Sequence, residues 1–240
     1  MKIIPNYSPN YTKKTRSKKN VKFVIIHYTG MQSEIESIER LKNPKYNVSC
    51  HYLINRKGRV FQLVKDLNIA WHAGKSKWKK FKNLNSKSIG IELVNKGHEL
   101  GYQNYSLKQI QCLIWLCKNL KKKYKIKSEN FLGHSDIAPL RKKDPGEKFP
   151  WKKLSKFNIG KWYSEDQSKI EFNRKKVRNL FFKNLRKLGY KFFSINKASH
   201  YDKRVIRSFQ QHFLPNNVTG KIDKKTFEIS HFLINQFKIS

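Results

Sequence analysis

Two histidines and an aspartate, His27, His134 and Asp144, could together hold a metal ion. A hydrolytic zinc site needs three nitrogen or oxygen ligands and one position left open for water. Such ligands should project from strand ends or from a braced loop, so that their geometry survives substrate entry. His27 closes an apolar run, His134 follows a second, shorter one, and Asp144 lies ten positions further on, directly before Pro145-Gly146. Two neutral imidazoles and one carboxylate leave a divalent ion with net positive charge. That charge lowers the pKa of bound water toward ~7 and polarises a carbonyl. The spacing alone also admits a plainer role, that of a structural histidine at a strand end.

The elements that must position these residues can be read from periodicity. Residues 22–29 form an apolar run rich in β-branched side chains, as expected for a buried strand ending near His27. Residues 33–41 follow as a helix, with Ser33 as its cap and Ile35, Ile38 and Leu41 at helical spacing. Residues 51–54 and 59–64 read as a hairpin around Lys57-Gly58. The strand over 88–94 places Glu92 on the face opposite Ile91 and Leu93. Residues 106–124 carry Ile110, Leu113, Ile114, Leu116, Cys117 and Leu120 on a helical period, with lysines at the negative end of the dipole. A short strand over 131–133 leads into a loop from 134 to 151. Tyr28, adjacent to a ligand, is expected to point to the other side of its strand and is given no catalytic role.

Mingled strands and helices imply an α/β fold, a mixed central sheet flanked by helices, over residues 21–160. Residues 1–20 are basic and rich in Asn and Pro, and read as an irregular lead-in. Residues 177–188, 203–213 and 224–237 read as three helices separated by turns at Gly189, Pro215 and Gly220. They make a small helical module over 175–240, near the lower size limit for independent folding.

Fifty-three Lys and Arg against 16 Asp and Glu give a formal charge of +37. The lysines are spread over nearly every segment, which fits compositional drift better than a nucleic-acid footprint, and no RRM, KH or helix-turn-helix signature accompanies them. Attraction to anionic cell-wall material is a further reading of the charge. Cys50, Cys112 and Cys117 lack CxxC spacing, so neither a disulfide framework nor a zinc knuckle is indicated. No run approaches the ~20 apolar residues of a membrane span, and the first residues lack a secretory core. A cytoplasmic location is therefore expected, with the periplasm as the alternative.

Several motifs then occur in a fixed order. They are Val24-Ile25-Ile26-His27-Tyr28-Thr29, Ser49-Cys50-His51-Tyr52-Leu53-Ile54, Trp71-His72-Ala73-Gly74 and Ser88-Ile89-Gly90-Ile91-Glu92-Leu93. Gly133-His134-Ser135-Asp136-Ile137-Ala138-Pro139, Arg141-Lys142-Lys143-Asp144-Pro145-Gly146 and Phe149-Pro150-Trp151 follow. Over about residues 20–155 this set resembles the amidase_2 family of N-acetylmuramoyl-L-alanine amidases, related to the peptidoglycan recognition proteins and a phage lysozyme. The resemblance implies a peptidoglycan recognition protein-like fold and cleavage of the amide between N-acetylmuramic acid and L-alanine in peptidoglycan or muropeptides.

Carried over residue by residue, the resemblance makes His27, His134 and Asp144 the ligands of one zinc ion. It makes Glu92 a catalytic carboxylate and Lys142 a catalytic lysine. Read without it, Glu92 is equally a strand carboxylate paired with a lysine, and Lys142 one cation in a basic triplet. His51, Trp71 and His72 fall inside matching motifs as candidate substrate contacts, since further ligands would overfill the site. His51 either lines the cleft or supports the ligands; Trp71 and His72 form a substrate-contact or packing pair. Phe209-Gln210 with Gly220-Lys221-Ile222-Asp223 resembles the three-helix peptidoglycan-binding domain, the alternative being a helical cap on the first domain. The expected partners are peptidoglycan fragments, with no specific nucleic acid and a monomeric state. A non-catalytic peptidoglycan-binding protein of the same fold is the alternative function.

Overall fold

The computed structural model describes residues 1–165 and 170–236. Its strands in chain order are β1 (Ile3–Pro5), β2 (Tyr11–Thr12), β3 (Phe23–Tyr28), β4 (Tyr52–Ile54), β5 (Val60–Gln62), β6 (Ile69–Ala70), β7 (Lys77–Trp78), β8 (Phe81–Lys82), β9 (Ser88–Leu93) and β10 (Phe131–Gly133). Its helices are α1 (Glu34–Lys42), α2 (Leu107–Tyr124), α3 (His134–Ile137), α4 (Trp151–Ser155), α5 (Val177–Leu188), α6 (Asp202–Phe213) and α7 (Lys224–Gln236). Phe237, the expected end of the last helix, lies outside the described residues.

Six strands make the main sheet in the order β1-β5-β4-β9-β3-β10, with β4, β9, β3 and β10 mutually parallel. Parallel strands covered on both faces need apolar side chains throughout, and Phe23 to Ile26 of β3 are all at most 1% exposed. One face, through Val24, Ile26, Ile89 and Ile91, packs on the buried stripe of α2. Ser106 caps α2 by accepting the Gln109 amide at 3.1 Å. The other face carries Phe23, Ile25 and Leu132, which share a core with Phe181, Leu185, Phe209 and Leu233 of the C-terminal helices. The result is a sheet between two helical layers, the α/β arrangement expected from the pattern.

Parallel register also decides what meets at the sheet's carboxyl edge. His27 pairs with Glu92 across β3 and β9, and Ile26 pairs with Gly133 across β3 and β10. The residue after Gly133 is His134, so Glu92, His27 and His134 stand side by side where parallel-sheet proteins place their ligands.

Three expectations need correction. The lead-in is ordered: β1 pairs with β5, β2 pairs with β6, and the Arg16 side chain is buried. Arg16 donates to the carbonyls of Asp66 (2.8 Å), Asn85 (2.9 Å) and Ser88 (2.6 Å), so backbone oxygens hold it. Ile35 is 79% exposed, because α1 buries only Ser37 and Leu41 and turns Ile35 to solvent. The stretch from 134 to 151 is not all loop, since α3 adds a helical turn directly after β10 and α4 begins at Trp151.

Candidate active site

His27 Nδ1, His134 Nδ1 and Asp144 Oδ2 form a nearly equilateral triangle with sides of 2.9, 3.0 and 3.1 Å. All three residues are buried, and they are a group of metal-ligating type found among the described residues. An ion bonded at ~2.0 Å to three tetrahedral ligands sets them ~3.3 Å apart, so the triangle is close to the right size and slightly tight. Three lone-pair atoms facing one another at this distance repel unless a cation lies between them. The donor set of two imidazoles and one carboxylate suits zinc.

The hydrogen bonds behind the ring nitrogens fix which nitrogen faces the triangle. Ser88 Oγ donates to the Leu84 carbonyl at 2.7 Å, so it accepts from His72 Nε2 at 3.2 Å. His72 Nδ1 is then an acceptor and takes the proton of His27 Nε2 at 3.0 Å. This leaves the Nδ1 lone pair of His27 pointing into the site. His134 reaches the same state by donating Nε2–H to the Ala73 carbonyl at 3.2 Å. Outer partners of this kind set tautomer and ring orientation in metal sites. Burial, with His134 nearby, lowers the His27 pKa to about 4, so the ring is neutral at pH 7.

Two glycines allow this packing. A Cβ on Gly90 would lie 2.4 Å from the His72 ring, and one on Gly133 would lie 2.7 Å from Pro145 Cδ. The first brings His72 down onto β9. The second lets the Asp144 turn close over the His134 turn, where Ser135 N donates to Asp144 O at 2.8 Å. Tyr102 and Tyr105 hydroxyls donate to the Pro145 carbonyl at 2.6 and 2.7 Å and hold that turn from the other side.

A cavity of about 350 Å³ opens over the triangle and is lined by Glu92, Lys142, Trp71 and His72 as well as the three ligand candidates. Glu92 Oε2 is buried without a hydrogen-bond partner among the described residues. Burial raises the Glu92 pKa to about 8; Asp144 adds to the rise and Lys142 opposes it. Lys142 is exposed at the cavity wall.

Of the candidate substrate contacts, Trp71 and His72 face the cavity and His51 does not. His51 is fully buried; Nδ1 accepts from the Gly90 amide at 3.0 Å and Nε2 donates to the Asn68 carbonyl at 3.1 Å. Its ring meets His72 edge-on at 5.6 Å, so it supports the ligand shell and has no surface for substrate. Trp71 Nε1 donates to Thr12 Oγ1 at 3.0 Å, which ties the cavity wall to the N-terminal segment. Tyr28, expected to face away, also lines the cavity and meets His98 Nδ1 through its hydroxyl at 2.9 Å. Ser88 and Arg141 had no role in the sequence reading. Ser88 anchors the His72 relay, and Arg141 donates to the Ala73 carbonyl that His134 also uses.

Comparison with known proteins agrees with this geometry. Residues 17–147 match the family model described as N-acetylmuramoyl-L-alanine amidase. N-acetylmuramoyl-L-alanine amidase AmiD of Escherichia coli is 35% identical over 236 residues, covering 90% of this chain and 83% of the relative. The solved complex of that E. coli amidase with the substrate anhydro-N-acetylmuramic acid-L-Ala-D-gamma-Glu-L-Lys superposes with a TM-score of 0.78 at 32% identity, covering 95% and 94% of the two chains. AmpDh3 from Pseudomonas aeruginosa gives a TM-score of 0.80 at 31% identity, covering 96% and 97%. By sequence, by fold and by the residues gathered at its sheet edge, the chain belongs to the N-acetylmuramoyl-L-alanine amidase family.

Proposed function

We infer that the protein hydrolyses the amide between N-acetylmuramic acid and L-alanine in peptidoglycan fragments, with one zinc ion held by His27, His134 and Asp144. The observation that carries this reading is the triangle of lone pairs, with Glu92 beside it and a cavity above. When bound, the ion supplies Lewis-acid polarisation and a water of lowered pKa.

The chain's own residues do the rest. Glu92 takes a proton from the attacking water at its unpartnered Oε2 and returns it to the alanine nitrogen as the amide breaks. Its raised pKa suits proton return, and a divalent cation nearby draws that pKa back toward values at which a carboxylate accepts a proton. Lys142 places a positive charge at the cavity wall, where the carbonyl oxygen gains negative charge. His72 and the Ala73 carbonyl keep both imidazoles in the tautomer that presents Nδ1. Trp71 offers an aromatic face to the saccharide.

Mass spectrometry of products from anhydro-muropeptide tests the reading. Release of a free peptide beginning with L-alanine, beside an intact anhydro-muramic acid, is the expected result. Unchanged substrate, or cleavage inside the glycan or the peptide, would overturn it.

A further inference from the structure

Asp136 sits two residues after the ligand candidate His134, at the third position of the single helical turn α3. Its carboxylate is 1% exposed, and a charge so buried must be met by donors. It accepts from the Gly133 amide at 2.8 Å, from the Tyr190 hydroxyl at 2.6 Å and from His212 Nδ1 at 2.8 Å. Two of these three donors come from the C-terminal helices, since Tyr190 follows α5 and His212 lies on α6. The His212 ring stacks on Trp151 with centroids 4.0 Å apart, which fixes the plane from which Nδ1 donates.

Helix α6 reaches the loop after α3 at two more points. Arg204 donates to the Leu140 carbonyl at 2.6 Å, and Gln211 donates to Glu147 Oε2 at 3.1 Å. Arg204, Gln211 and His212 are spaced i, i+7 and i+8, so they share one face of the helix. Leu140 and Glu147 flank Lys142 and Asp144 on either side in the chain. Glu147 also accepts from His98 Nε2 at 3.1 Å, and His98 Nδ1 accepts from the Tyr28 hydroxyl at 2.9 Å, which links the same face of α6 to the cavity wall. On its apolar side, Val205, Phe209 and Phe213 of α6 share a core with Ile137 and Ala138 at the end of α3.

We propose that α6 is a structural part of the hydrolytic centre, with His212 as a positioning residue for the ion ligands. The proposal rests on the amidase reading for its ion. The turn that Asp136 caps presents His134, and Ser135 N donates to Asp144 O at 2.8 Å. Two of the three ligands therefore take their places from this one turn. Loss of the His212 donor leaves a buried carboxylate short of a partner, and the turn must shift to satisfy it. A metal site built from few ligands tolerates little displacement of any of them. The C-terminal helices thus act on the geometry of the site itself, as a cap and not as a tethered module.

Zinc affinity of the folded full chain, measured by competition with a chromophoric chelator, tests this apart from turnover. His212→Ala is expected to weaken it about tenfold, the lower end of what loss of an outer partner costs a metal site. His212→Asn, whose amide donates from nearly the Nδ1 position, should recover most of that loss. Ile229→Val thins the same helical core from α7 and should leave the affinity unchanged. Wild-type affinity in His212→Ala, or an equal loss in Ile229→Val, overturns the proposal. Should His212→Ala fail to fold, Tyr190→Phe decides: a loss of about threefold is expected, and no loss contradicts the role of Asp136. Amide exchange in the metal-free protein separates this proposal from the ion reading. Relative to β3 amides, the Ser135 amide should exchange about tenfold faster in Tyr190→Phe than in wild type. A wild type that binds no zinc yet shows this difference loses the ion reading and keeps the brace. One that binds zinc, with affinity and Ser135 exchange unmoved by either variant, keeps the ion reading and loses the brace.

Discussion

Replacing His72 by alanine probes the ligand shell without touching a ligand. In the folded protein His72 Nδ1 takes the proton of His27 Nε2 at 3.0 Å, and the His72 ring is anchored through Ser88. Its loss leaves a buried N–H on His27 without an acceptor, a cost of about 1–3 kcal/mol. The ring also loses the partner that keeps Nδ1 unprotonated, so the competing tautomer gains population. Removal of outer-shell partners lowers metal affinity about 10–100-fold, which is ~1.4–2.7 kcal/mol. Zinc affinity measured by competition with a chromophoric chelator should fall within that range in His72→Ala. Ser88→Ala removes only the outermost link and should cost less. Wild-type affinity in a folded His72→Ala protein would refute the relay.

Four further outcomes follow from the same geometry. Glu92→Gln should lower kcat by about 10²–10⁴ with KM little changed, measured on anhydro-muropeptide. Because the folded Glu92 pKa is about 8 and the unfolded one 4.5, the native state binds the extra proton between them. Stability of the metal-free protein from this group therefore falls as pH rises from 4.5 to 8. Tm scans should show Glu92→Gln gaining on wild type across that window, and parallel profiles would contradict it. Gly90→Ala forces a methyl against the His72 ring, a contact of 2.4 Å, and should destabilise by about 1–3 kcal/mol in urea unfolding. Tyr190→Phe removes a 2.6 Å hydrogen bond to the Asp136 carboxylate and should cost about 1.5–3 kcal/mol, read from the same transition.

The site was legible where side-chain pattern and backbone position coincide. His27, Glu92 and His134 end or follow apolar runs that are parallel neighbours, so each run's carboxyl end led to a site residue. Asp144 was legible through the turn that follows it. The relay was not, because Ser88 and Gly90 meet His72 only after β9 enters the sheet and the 71–74 segment folds over it. Arg16 was hidden for a related reason: apart from the buried His51 ring, 2.9 Å from its guanidinium, its partners are carbonyls, which leave no trace in side-chain pattern. Ile35 obeyed the helical period and still faces solvent, since period says which stripe is apolar and not whether anything covers it. The three C-terminal helices were evident from period, but not that Phe181 and Phe209 would share a core with Phe23 and Ile25. Gln210 of the F-Q pair is explained by the turn it holds, accepting from the Gly220 amide at 2.7 Å and donating to Thr226 Oγ1 at 3.0 Å.

Titration of metal-stripped protein with zinc, following peptide release from anhydro-muropeptide, tests the triangle as a working site most directly. Activity should be absent at the start, rise linearly and level off at one equivalent, while His27→Ala stays inactive throughout. Turnover by the stripped protein, or a normal titration by His27→Ala, would mean that His27, His134 and Asp144 do not hold the ion on which hydrolysis depends.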